Sequence, residues 1–167
     1  MDFDDTVNQL KMFQRADEDC LLMVLSYRPQ LRYFLHKEGL QTSRYWSFFD
    51  DVQNIGRFST KAIDFKELNW PEQVTFLYSP FIVLAQQHGK TIASIYFAEN
   101  GNLLKIDWQE DGQVTQTLLF DDRGFLSSRL VLKDGRQLFQ DYLNENGVWQ
   151  LREYLDSENA KIEVNPY

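Results

Sequence analysis

Six of the eight glycines, Gly89, Gly101, Gly112, Gly124, Gly135 and Gly147, recur along the chain at steps that differ from one another by a single position. Four follow Asn or Asp, as Asn100-Gly101, Asp111-Gly112, Asp134-Gly135 and Asn146-Gly147. Such pairs supply the positive φ angles that tight two-residue hairpins demand, at little steric cost. The segments between them are short, rich in β-branched and aromatic residues, and partly alternating. This punctuation predicts one antiparallel meander, with strands near 81–87, 90–98, 103–109, 114–120, 125–132, 137–143 and 148–155, and a short one near 161–164. Such a sheet presents a broad face and edges suited to polypeptide contact, and it offers no cofactor loop.

Turn arithmetic then sets registers. A two-residue turn at Asn100-Gly101 places Phe97 opposite Leu104 and Ile95 opposite Ile106; one at Asn146-Gly147 places Asp141 opposite Arg152. The turn Asp121-Asp122-Arg123-Gly124 is longer or bulged, so register beyond it is looser. Leu104, Ile106 and Trp108 alternate with Lys105 and Asp107, giving that strand one wet face. Trp149, Leu151 and Leu155 oppose a side that mixes Arg152 and Tyr154. One face is expected to pack on helices, and the other is amphipathic. It reads either as a binding surface or as a half-solvated face whose aromatics cover the backbone.

The first part of the chain has a different period. An opening helix places Phe3, Val7, Leu10 and Phe13 on one face. The apolar run Cys20–Ser26 reads as a buried strand. A second helix follows Pro29, with Leu31, Phe34 and Leu35 inward and Gly39 as its stop. A third, capped by Thr42 or Ser43, faces Tyr45, Phe48, Phe49, Val52 and Ile55 inward and ends at Gly56. Helix, apolar strand, helix is a fragment of an α/β layer, and its lone strand is incomplete or borrows neighbours. The chain therefore reads as α+β, an α/β segment over 1–72 followed by the meander over 73–167, which Val74–Tyr78 opens.

Composition excludes several classes. Twenty-five acidic against 17 basic residues, with no basic run, argue against nucleic acid as the partner. With 43% hydrophobic and 15% aromatic residues the chain can bury a core. Cys20 is the only cysteine, so no disulfide forms within the chain, and its apolar setting reads as structural. No apolar stretch nears the roughly 20 residues that span a bilayer. The acidic start Met1-Asp2-Phe3-Asp4-Asp5 is unlike a signal peptide, which leaves the cytoplasm as the simplest location. Phosphate-binding, dinucleotide and nucleophile-elbow motifs are absent. His36 and His88 read as surface residues, Asp50-Asp51 as the polar side of a helix, and Asp121-Asp122 as the start of a turn.

One combination is more specific. Phe120-Asp121-Asp122-Arg123-Gly124-Phe125-Leu126-Ser127-Ser128 is followed by Gln140-Asp141-Tyr142-Leu143-Asn144 and Gly147-Val148-Trp149. Before it come Phe3–Gln9 and Leu25–His36, and after it Val164-Asn165-Pro166-Tyr167. In order and spacing this set resembles the N-terminal part of the accessory Sec system protein one family over nearly the whole chain.

The resemblance implies a glycosyltransferase-like protein of two Rossmann-like halves, with an antiparallel sheet inserted in the first, that has lost transferase activity. Residues 1–72 are then a partial Rossmann-like segment. Family members begin earlier and continue far past Tyr167, so the chain reads as a fragment lacking most of a sugar-nucleotide pocket. No catalytic residue, metal ligand or cofactor is therefore carried across. The partners implied are the other accessory Sec proteins, an accessory motor ATPase and a serine-rich-repeat adhesin polypeptide, with membrane association only through them. Expected protein contacts on the wet side of the meander are Arg129, Gln140, Tyr142 and Arg152. Two alternatives remain open at this point: the acceptor-binding sheet of a glycosyltransferase acting on serine-rich polypeptides, and a β-repeat module of the kind found in bacterial toxins.

Overall fold

The computed structural model describes residues 4–56, 60–80, 82–156 and 161–166. Phe3 and position 81, which the sequence reading placed in the first helix and a strand, lie outside them. The chain forms two compact units, Met1–Val52 and Gln53–Tyr167. The sequence reading set its junction at 72/73. Residues from Gln53 onward fall with the second unit because Gln53 donates to Ser127 O, Ser127 Oγ and Leu143 O.

In the first unit, α1 (Asp4–Arg15) and α2 (Leu31–Lys37) accompany a parallel pair, β1 (Leu21–Val24) and β2 (Arg44–Ser47). Val7 and Leu10 of α1 meet Leu35 and Leu40 in a small core that also packs Cys20, Leu22, Leu31, Phe34 and Tyr45. The inward arc continues through Lys11, bonded to Glu38, and Gln14, bonded to Ser43. Phe13 therefore points outward and is 46% exposed, against expectation. Gly39, at φ +72°, ends α2: its N–H reaches His36 O, and Leu40 N–H reaches Leu35 O at 2.7 Å.

Two expectations fail here. The third helix is mostly a strand: Arg44–Ser47 pairs with β1, and only Phe48–Val52 is helical (α3). Aromatic Tyr45 and Trp46 suit a strand, and the parallel partner satisfies their backbone as a short isolated helix could not. The strand read as buried on both sides has one exposed side, with Leu21, Met23 and Leu25 largely in solvent.

The second unit holds a nine-stranded antiparallel sheet in sequence order: β3 (Thr75–Tyr78), β4 (Ile82–Gln87), β5 (Lys90–Phe97), β6 (Leu103–Glu110), β7 (Gln113–Asp121), β8 (Phe125–Lys133), β9 (Arg136–Leu143), β10 (Trp149–Tyr154) and β11 (Lys161–Val164). The meander read from the glycine spacing is present strand for strand. Asp111-Gly112 and Asp134-Gly135 have positive φ at both residues, as two-residue hairpins require. Asn100-Gly101 and Asn146-Gly147 do not: Ala98 closes on Asn102 and Asn144 on Val148, so three residues loop. Phe97 then opposes Leu103 rather than Leu104.

A β-bulge near the turn recurs in all six hairpins from β4 to β10. Each bulge offsets pairing by one residue and bends its strand. In the two Asn-Gly hairpins it cancels the extra loop residue, so Ile95 does oppose Ile106 and Asp141 does oppose Arg152.

The second unit's core is the β3–β7 half of one face: Val83, Ala85, Ala93, Ile95, Leu103, Ile106 and Phe120. The segment before β3 covers it through Phe65, in the short 3-10 turn Phe65–Glu67, with Ile63, Leu68 and Trp70. Phe65 meets the Phe76 ring edge-on at 5.2 Å, and Trp70 lies 4.9 Å from Trp108. An irregular strap thus takes the covering place expected of helices.

Gly124 joins the strap to the sheet. At φ +90°, a Cβ there would sit 1.9 Å from Lys61 O, while Lys61 N–H donates to Arg123 O at 3.0 Å. Gly112 also has positive φ (+82°) but has open space around it. Gly112→Ala should therefore cost about 1 kcal/mol for backbone strain alone. Gly124→Ala should cost about 3 kcal/mol, because the strap must also move. Denaturant midpoints of the two variants check this; equal losses would mean that Lys61 yields freely.

A candidate interaction face

Directly opposed residues of antiparallel strands share a face, so the registers trace one row across all nine strands: Tyr78, Val83, Ile95, Ile106, Leu118, Arg129, Asp141, Arg152 and Glu163. Its first part is apolar and packs under the strap. From β8 the same row becomes alternating charge. The opposite face carries the row Leu77, Leu84, Ser94, Asp107, Thr117, Leu130, Gln140, Glu153 and Ile162.

Asp141 is the centre of the charged half. It has no exposed surface and takes both neighbouring arginines: Arg129 Nη2 at 2.6 Å, and Arg152 through Nε at 2.6 Å and Nη2 at 3.1 Å. Arg152 lies over Phe139 at 4.3 Å and over Trp149 at 5.5 Å, so its weakly hydrated plane is held between rings. Phe139 borders Tyr154 at 6.4 Å, and Tyr154 donates to Glu163 at 2.8 Å beneath Lys161. A cationic and aromatic surface results, organised on one buried carboxylate.

Burial alone would push the Asp141 carboxyl up. The bonds from Arg152 and Arg129, with their charges, outweigh it and hold the group below the usual carboxylate value. In return, the bond to Asp141 raises the Arg152 guanidinium above its ordinary value.

The four residues expected to make protein contacts do not share one surface. Arg129 and Arg152 flank Asp141 on one face, whereas Gln140 and Tyr142 belong to the other. Tyr142 is only 5% exposed and donates to Glu153; Gln140 donates to Ser128. Tyr142 is thus part of the packed sheet. Trp149 also changes side, because the bulge before Leu151 aligns it with Leu143 and Asp141. Asp141 itself was missed as the organising residue. The available signal was an acid lying one meander step after Arg129 and one before Arg152, in time with the glycines.

The other sequence candidates serve structure. Asp121 Oδ1 accepts Arg123 N–H at 2.9 Å, and its carboxylate takes the Arg123 guanidinium in a fork at 2.6 and 2.8 Å. Asp51 accepts the Trp46 indole N–H at 2.6 Å. His36 and His88 are exposed. Cys20 packs against the first unit's core. Among the described residues, no group of three or more His, Cys, Asp or Glu side chains is placed to share a metal ion, and no helix is long and apolar enough to cross a membrane.

The backbone resembles part of solved glycosyltransferases. The pneumococcal O-GlcNAc transferase GtfA, solved with UDP and GlcNAc, superposes with a TM-score of 0.71 at 8% identity, over 95% of this chain and 35% of that one; the likeness is one of fold alone. The chain belongs to the accessory Sec system protein 1 family, whose model matches residues 1–167. The Streptococcus gordonii member is 36% identical over 166 residues, 99% of this chain and 32% of the relative. The Glycosylation Associate Protein complex of Streptococcus agalactiae contains a chain at TM-score 0.94 and 49% identity, covering 98% of this chain and 33% of that one. A crystal structure of accessory secretory proteins 1, 2 and 3 from Streptococcus pneumoniae matches at TM-score 0.91 and 38% identity, over 99% and 34%. The chain thus spans about a third of the length of these relatives.

The Asp141 carboxylate gives a prediction. Its folded value lies below its unfolded one, so its stabilisation is complete at neutral pH and is lost as pH falls through the depressed value. Asp141→Asn should cost about 3 kcal/mol at pH 7, the lower end for breaking a buried pair, since both arginines can rehydrate. The difference from the unsubstituted chain should shrink below about pH 4. Urea denaturation across that range measures it; a pH-independent difference would assign the loss to packing.

Proposed function

We propose that this chain is a non-catalytic component of an accessory Sec export pathway, and that its meander holds partner proteins. The observation that carries the reading is the bonding of the charged face. Arg129, Asp141 and Arg152 are engaged with one another and with ring faces, which leaves a shaped, preorganised surface. Family membership across the whole chain names the pathway. The Streptococcus pneumoniae structure groups accessory secretory proteins 1, 2 and 3, which supports the other two as partners here. An accessory motor ATPase and a serine-rich-repeat adhesin complete the proposed partner set, in the cytoplasm. The parallel pair β1–β2 with α1 and α2 supports reading the first unit as a partial Rossmann-like segment.

Of the expected contact residues, Arg129 and Arg152 on the Asp141 face make the contact. Gln140 and Tyr142 stand on the other face and take no part in it, Gln140 being bonded to Ser128 and Tyr142 to Glu153. Immobilised chain should retain the two sister accessory proteins from solution. Arg129→Gln should weaken capture about fivefold, the loss of roughly 1 kcal/mol of a central contact. Gln140→Ala should leave it unchanged. A folded chain that captures neither, where a full-length family member captures both, would place the contact outside these residues.

A second reading, an acceptor-binding sheet of a glycosyltransferase, is favoured by the fold likeness to GtfA. Calorimetric titration of a full-length family member with UDP-GlcNAc separates the two. The export reading expects no heat beyond dilution, and saturable binding would favour the enzyme reading.

A further inference from the structure

Among the described residues the sheet ends in an edge strand, β11, whose sequence is its own complement. Asn165 N–H donates to Gln150 O at 2.9 Å, extending the β10–β11 ladder by one pair. Hydrogen-bonded and non-bonded pairs alternate along an antiparallel ladder. Glu163 and Lys161 therefore spend their backbone groups on β10, while the N–H and C=O of Ile162 and Val164 point away from the sheet. On one face, Lys161 lies over Tyr154 at 4.6 Å and Glu163 accepts its hydroxyl at 2.8 Å, so one ring holds both charges in place. On the other face Ile162 and Val164 stand 60% and 66% exposed.

We propose that two copies of this chain pair through β11, antiparallel about a two-fold axis at Ile162, continuing one sheet across both. The register follows from charge. Centred on Ile162, the pairing sets Lys161 of each copy opposite Glu163 of the other, twice. Those positions are non-hydrogen-bonded across the new seam, where opposed Cα atoms approach to about 4.5 Å. Ile162 meets Ile162 on the other face and exchanges the backbone bonds that β10 leaves open. Centred instead on Glu163, the pairing sets carboxylate against carboxylate and is disfavoured. The opposite edge, β3, carries Thr75, Phe76, Leu77 and Tyr78, with no charge to set a register. Joining β3 to β11 would be head-to-tail and propagate into fibres instead of closing. So short an edge strand makes a small interface, and the dimer is concentration-dependent.

Sedimentation equilibrium of the 167-residue chain over a concentration series tests this. The mass should rise from 19.8 kDa towards twice that value. Lys161→Glu and Glu163→Lys should each remain monomeric, since each opposes like charges twice. An equimolar mixture of the two should dimerise again, because every 161–163 contact then joins opposite signs; the double exchange Lys161→Glu/Glu163→Lys should dimerise alone. Rescue on mixing requires both variants to be folded, which controls for damage to the sheet. A chain monomeric at all concentrations, a dimer indifferent to either reversal, a mixture that stays monomeric, or mass growing past the dimer would each overturn the proposal.

Discussion

Each hairpin from β4 to β10 is closed by a residue in left-handed backbone and bulged once, and the rest of the second unit follows from that pairing of devices. The positive φ at Gly89, Gly101, Gly112, Gly124, Gly135 and Gly147 reverses the chain at a near-constant interval. The bulges supply the bend and extra twist that a nine-stranded open sheet needs. Together they keep the central row in step. Val83, Ile95, Ile106, Leu118, Arg129, Asp141 and Arg152 recur along the chain at the same cadence as the glycines. A deletion in any one strand would carry every later residue of the row to the opposite face.

That cadence explains how much could be read in advance. The strands were legible because turn chemistry and alternation are local. Two registers were right for an incomplete reason: the Asn-Gly loops are one residue longer than read, and the bulges restore the offset. Near the turn, where the bulge has not yet acted, Phe97 was placed one residue off. The first unit was less legible because its key pairing is nonlocal. Nothing in Tyr45, Phe48, Phe49 and Val52, which match a helical spacing, shows that Tyr45 pairs beside Leu22. Helix and strand compete for such short apolar runs, and here a parallel partner from the far side of α2 decides.

The charged face was half legible. Asp141 opposite Arg152 followed from a turn, but Arg129 stands on β8, joined to β9 by the Asp134-Gly135 turn. That turn alone sets Arg129 opposite Gln140; the bulge between Val131 and Leu132 moves it to Asp141. Composition groups Gln140 and Tyr142 with the arginines because it marks polarity without marking parity. Adjacent residues of a strand face opposite ways, and the one-residue step from Asp141 to Tyr142 separates a buried ion cluster from a packed tyrosine. The run Phe120–Phe125, which carried much of the family resemblance, works through backbone: Asp121 holds the turn and Arg123, while Gly124 admits the Lys61 carbonyl. A distinctive motif here marks where the strap crosses the sheet.

The partition of polarity bears on what such a sheet can do. Acid–base chemistry needs a group whose proton is free to move near neutral pH. Here the buried carboxylate of the charged face is held in its ionised form by two guanidinium groups. Bonding of that kind fixes side chains at a surface before any partner arrives, which lowers the ordering cost of contact. The cations of this face are matched within it, so they add little long-range steering. On the reading proposed above, recognition comes at short range, through shape, ring faces and the backbone groups that the edge strands leave open.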